Sequence, residues 1–90
     1  MKDITELRKE IDLLDKRLVE ILEKRFKVVK AIGEYKKINH LPIFDKEREK
    51  FVLESKKELL TKEEDFEYYK RIFQLIMDIS KEMEKWKISL

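Results

Sequence analysis

Two cations are out of place in this sequence. Arg25 stands where an apolar residue is due, among Leu22, Phe26, Val28 and Val29, and Lys36 comes eleven residues later. On a helix that interval is three turns and about 20° of rotation, so both side chains point the same way about 16 Å apart. Each side chain reaches roughly 6 Å, which leaves a gap of a few ångströms between the charges, enough for a small dianion. Further along, PIFDKERE (residues 42–49) spaces Asp45, Arg48 and Glu49 at i, i+3 and i+4, one face of a helix. Ser80 and Glu84, at i and i+4, make a polar notch below Ile76 and Met77. Taken alone, the Arg48/Glu49 and Ser80/Glu84 pairs describe ordinary solvated helix faces, and Arg25 alone describes a guanidinium that meets a carboxylate or fixes a register. Taken together they describe a pocket, because an unpartnered guanidinium in an apolar seam is costly.

The elements that must position these residues are helices. Asp3 with Glu6 three residues on is a start signal, and the pattern runs unbroken to about Asn39. Leu7, Ile11, Leu14, Leu18, Ile21, Arg25, Val28, Ile32 and Tyr35 alternate in steps of four and three, a heptad seam with one charged member. Some 35 residues of helix measure about 50 Å, longer than a compact chain of this size can cover, so the seam is expected to lie against a second copy. Pro42 cannot continue the helix and makes KINHLPI a break, with His40 in the loop and Ile43 and Phe44 anchoring the start of the next element. Asp45 is suited to cap a second helix marked by Phe51, Val52, Leu59 and Leu60. After TKEED, Asp65, in preference to Thr61 with Glu64, caps a third helix. Its buried stripe is Phe66, Tyr69, Ile72, Phe73, Ile76, Met77 and Ile79 or Met83. Gly33 suits close helix packing and Trp86 partly exposed apolar cover. The expected fold is all-α, one domain over residues 1–90, with one long and two shorter helices in a dimer.

Composition limits what such a fold does. With 47% of its 90 residues charged, the chain has few residues to fill a core, which again favours burial against a partner. The net charge is only +2 with signs interleaved, so no broad basic face for nucleic acid is expected. The absence of Cys excludes disulfides and thiolate metal sites and suits the cytoplasm. No apolar run approaches the roughly 18 residues of a membrane span, and no apolar signal segment opens the chain. The wealth of Lys and Glu fits life at high temperature, as it fits any long solvated helix.

From LRKEIDLLDKRLVEILEKR through IGEYKK and PIFDKERE to IFQLIMDIS, the chain resembles the all-helical class of chorismate mutases, over about four fifths of its length and in the right order. Arg8, Arg25, Lys36, Asp45, Arg48, Glu49 and Ser80 stand where that family's active-site pattern wants those residue types. The resemblance implies rearrangement of chorismate to prephenate, on the route to phenylalanine and tyrosine, in an intertwined homodimer whose two sites are each completed by the partner's Arg8. It implies no cofactor, metal or covalent intermediate. By the same resemblance, Arg8 and Arg25 hold the substrate's two carboxylates with help from Ser80, and Lys36 touches a carboxylate and the ether oxygen. Glu49 and the backbone at Asp45 take the ring hydroxyl, Arg48 completes the wall, and Ile32 and Met77 line it. A chain without Cys and with its lone His in a loop suits a reaction that needs a held conformer and nearby cations rather than a nucleophile.

One position departs from the pattern. Where many of these enzymes carry Gln four residues after the serine, this chain has Glu84, and an ionised carboxylate cannot donate a hydrogen bond to the ether oxygen. Like charges and partial burial favour its protonated form, and Lys36 nearby opposes it. Two other functions fit the same features: an isochorismate pyruvate lyase of the same fold, and a non-catalytic helical dimerisation or regulatory module.

Overall fold

The computed structural model describes the backbone of residues 1–89 and the side chains of residues 1–85, so Trp86 lies outside the described side chains. Three helices succeed one another: α1 (Ile4–Ile38), α2 (Lys46–Leu59) and α3 (Phe66–Ser89). Among the described residues there is no strand. Among the described residues no helix is long and apolar enough to cross a membrane.

The start of α1 is set as its sequence requires, by Asp3, whose side chain accepts a hydrogen bond from the Glu6 N–H at 2.9 Å. Its end is a Schellman motif: Leu41 N–H donates to the Lys36 carbonyl at 2.9 Å and His40 N–H to the Lys37 carbonyl at 3.4 Å. That closure places the residue after the cap in the left-handed region, and His40 has φ 53° there, where glycine is usual. The reversal brings Ile43 back over α1, and Lys36 Nζ donates to the Ile43 carbonyl at 2.8 Å. Asp45, extended at φ −128°, then caps α2 by accepting from Arg48 N–H at 3.0 Å.

The two shorter helices depart from their expected faces. On α2 the half-buried residues are Glu49, Val52, Leu53, Ser55 and Lys56, while Phe51 and Leu59 are exposed. The turn toward α3 is carried by two apolar residues in tandem, Val52 and Leu53, rather than by widely spaced marks. Asp65 does not act as a simple cap. It ends a 3₁₀ turn (Glu63–Asp65) whose helical backbone runs straight on into Phe66, so α3 is entered through a tightened first turn. Along α3, Phe66, Phe73, Ile76, Met77, Ile79 and Met83 turn inward as expected, but Tyr69 and Ile72 remain exposed.

The chain is long and thin, 56 × 27 × 15 Å, with a radius of gyration of 16.5 Å. A compact domain of this length has a radius of about 12 Å. α3 packs along the second half of α1, where Val29 and Gly33 are buried, and α2 packs on α3. Residues 4–21 of α1 are exposed throughout. Apart from Arg25, every member of the seam from Leu7 to Tyr35 is between 42% and 62% exposed, so one chain leaves that stripe uncovered. Among the described residues Val29 and Met77 are the buried large apolar side chains, and both line a cavity between α1 and α3.

Because the left-handed conformation costs a residue with a Cβ about 1–2 kcal/mol, His40→Gly is expected to stabilise the protein by about 1 kcal/mol. Thermal unfolding measures this; a lowered melting temperature would mean that the imidazole makes a stabilising contact that outweighs its backbone conformation.

Candidate active site

Where α1 and α3 cross, a cavity of about 130 Å³ opens between Arg25, Val29, Ile32 and Lys36 of α1, Ile43 and Asp45 of the loop, Glu49 of α2, and Met77, Ser80, Lys81 and Glu84 of α3. Arg25 and Lys36 are thus brought to one space from three turns apart on the same helix face. Arg25 Nη1 donates to Ser80 Oγ at 2.8 Å, and Ser80 Oγ donates to the Ile76 carbonyl at 2.7 Å. At the other end, Lys36 Nζ is 2.7 Å from Glu84 Oε1. That contact is an ion pair by distance and poorly aligned as a hydrogen bond, so Oε1, out of reach of solvent, has no well-directed donor among the described residues. Glu84 is 5% exposed and Ser80 7%, which excludes the solvated helix end that Glu82 and Lys85 would otherwise suggest.

Of the residues expected to act together, Arg25, Lys36, Asp45, Glu49, Ser80 and Glu84 line the cavity, as do Ile32 and Met77. Two do not. Arg8 is exposed on the first half of α1, away from the cavity of its own chain, because 17 residues of helix put it about 260° around and about 25 Å along from Arg25. Arg48 is exposed too, its guanidinium 5.3 Å over the Phe51 ring, and it is not a cavity wall. The expected single face of Asp45, Arg48 and Glu49 fails because Asp45 is the cap: its extended backbone lies outside the helix, and 100° per residue does not apply to it. Glu49 turns in and Arg48 turns out. Lys81, not singled out in the sequence, is a wall residue. The spacing of Met77, Ser80, Lys81 and Glu84 at three, one and three marks them as one face of α3, and that signal was available.

The walls themselves balance, with Arg25, Lys36 and Lys81 against Asp45, Glu49 and Glu84. Positive charge accumulates just behind them. Burial, and then the neighbouring Arg48, push the Arg25 guanidinium below its ordinary range. Burial, then Arg25, then Arg48 push the Lys56 ammonium down as well. Lys56 sits 4.6 Å from the Phe73 ring centre. Cations gathered this closely are a standing attraction for an anion.

Three helices around a small apolar-floored cavity ringed by charged side chains make a built site rather than a plain coiled-coil spacer. Residues 7–85 match chorismate mutase type II, and the chain belongs to that family. It is 43% identical over 79 residues to a bifunctional chorismate mutase/prephenate dehydratase of Buchnera aphidicola, covering 87% of this chain and 20% of that protein. With a protein of the same description from Aquifex aeolicus it shares 44% over 54 residues, 60% of this chain and 15% of that one. A chorismate mutase of Methanocaldococcus jannaschii is 28% identical over 86 residues, 94% of this chain and 87% of its own length. The chain therefore spans about a fifth or less of the two bifunctional relatives and most of the archaeal one. No solved structure matches it significantly.

Replacing Arg25 by Leu removes a partly buried charge without stranding Ser80, whose hydroxyl keeps its bond to Ile76. The variant is expected to melt at the same temperature as wild type or higher, by up to about 3 kcal/mol in stability. A small dicarboxylate is expected to raise the melting temperature of wild type and not that of the variant. A clear drop in melting temperature without ligand would make Arg25 a structural residue.

Proposed function

We propose that this chain is a chorismate mutase, converting chorismate to prephenate in the biosynthesis of phenylalanine and tyrosine in the cytoplasm. The observation that carries the reading is the cavity in which Arg25, Lys36 and Glu84 meet on an apolar floor of Val29, Ile32 and Met77, in a chain of this family. The rearrangement breaks a carbon–oxygen bond and forms a carbon–carbon bond within one molecule. It is accelerated by holding a compact conformer and by placing positive charge where the ether oxygen becomes negative. In this reading Lys36 and Glu84 flank the ether oxygen, Arg25 and the partner's Arg8 hold the carboxylates, and Glu49 with the Asp45 backbone accepts the ring hydroxyl. Arg48 contributes its field from outside the wall. Ser80 acts by holding Arg25, since its own proton is engaged by Ile76.

The active unit is a homodimer joined along the α1 seam. Its support is physical: a stripe of large apolar side chains about half exposed on one chain, and cavity walls that carry no surplus cation for a dianion. The partner's Arg8 supplies that surplus. Arg8→Ala and Arg25→Ala are each expected to lose at least about 100-fold in kcat/KM, whereas a mixture that has exchanged subunits recovers activity from heterodimers with one intact site. Absence of recovery after verified exchange would show that each site is built by one chain.

Glu84 stands where a donor to the ether oxygen is wanted. It faces Lys36 at 2.7 Å. A carboxylate cannot donate to that oxygen, whereas an amide can at any ordinary pH. Glu84→Gln is therefore expected to keep or raise activity near neutrality, while Glu84→Ala should be poor. Ultraviolet assay of chorismate loss decides the matter: equal kcat/KM for wild type and both variants would take Glu84 out of the reaction.

A further inference from the structure

The cavity has a cation to which the proposed chemistry gives no part. Lys81, with its side chain 25% exposed, stands 2.9 Å from Glu49 Oε2 and 3.3 Å from Asp78 Oδ1. Its Nζ also lies 4.8 Å from the centre of the Phe44 ring. Opposite it, Gln74 Nε2 donates to Asp78 Oδ1 at 3.0 Å and reaches Glu49 Oε1 at 3.4 Å. Glu49, Lys81, Asp78 and Gln74 thus close a ring between α2 and α3, and Lys81 is its one positive member. Two carboxylates pair with the Lys81 ammonium and the aromatic face lies beside it, so little of its charge is left for a ligand. The hydrogen bond to Glu49 outweighs partial burial and holds the ammonium above its ordinary range, so it stays charged wherever the protein works.

We propose that Lys81 is a positioning residue: it neutralises and fixes Glu49 in the cavity wall, so that an acceptor carboxylate sits there without repelling a dianionic substrate. This role for Lys81 rests on the chorismate mutase reading. Without Lys81, Glu49 keeps only the distant Gln74 contact, its 16% exposed carboxylate gains an uncompensated charge, and a substrate with two carboxylates must approach it. The substrate then binds less well and its ring hydroxyl meets a wandering acceptor.

The test is a double-mutant cycle on chorismate turnover, with melting temperatures as the control for folding. Lys81→Met is expected to lower kcat/KM about tenfold or more, chiefly through a raised KM. Lys81→Arg recovers most of that loss. In the Glu49→Gln background Lys81→Met costs little further, because the charge it neutralised is gone. Should Lys81→Met fail to fold, Lys81→Gln takes its place in the same cycle. Equal kcat/KM for wild type and the Lys81 variant, or the same loss in both backgrounds, overturns the proposal and leaves the mutase reading standing. An inactive wild type overturns both.

Discussion

Lys36 is the point on which the site hangs. Its ammonium reaches Glu84 on α3 and the Ile43 carbonyl in the loop, so one side chain fastens the end of α1 to the two segments that wall the cavity. Its own backbone carbonyl closes the Schellman turn that sends the chain back over α1. The fold and the cavity therefore share a residue: the turn that presents Ile43 and Asp45 is built from the same position whose ammonium lines the cavity. A short side chain at 36 would free the loop as well as Glu84.

Around that point the molecule is sparing with apolar burial. Val29 and Met77 form the buried apolar centre among the described residues, and they are also the cavity floor. What holds α3 against α1 is in large part polar: Arg25 to Ser80, and Lys36 to Glu84, both in partly desolvated surroundings. Such contacts are weak contributors to folding and strong arbiters of geometry. A long helix with an uncovered apolar stripe and a polar inner crossing is stable only in so far as the stripe is buried elsewhere, which is the role the proposed homodimer gives to a second copy.

The legible parts of this structure were those governed by local rules. Asp3 and Asp45 cap helices because a carboxylate before a helical run has a backbone N–H to accept from. Arg25 and Lys36 converge because both lie on one rigid helix, where spacing alone fixes direction. Ser80 and Glu84 converge for the same reason. Legibility ended where position depends on packing between elements. Arg48 lies on the expected helix yet turns outward, since the cap residue used to set its face is not helical. Phe51, Tyr69 and Ile72 look like core and are exposed in the single chain. Lys81 looks like one more lysine on a charged helix, and only the approach of Glu49 from α2 gives it a place.

The serine under Arg25 carries a consequence of its own. Its hydroxyl proton points back along α3 to Ile76 and its lone pair points across to the guanidinium, so it is a one-way relay that accepts from the cation and offers nothing in return. A residue here must hold an acceptor at short reach while sparing the backbone of the preceding turn. Threonine can make the same back-bond in a helix; alanine leaves the guanidinium without this acceptor, and aspartate would set a carboxylate against it. Position 80 therefore asks for a hydroxyl rather than for bulk or charge.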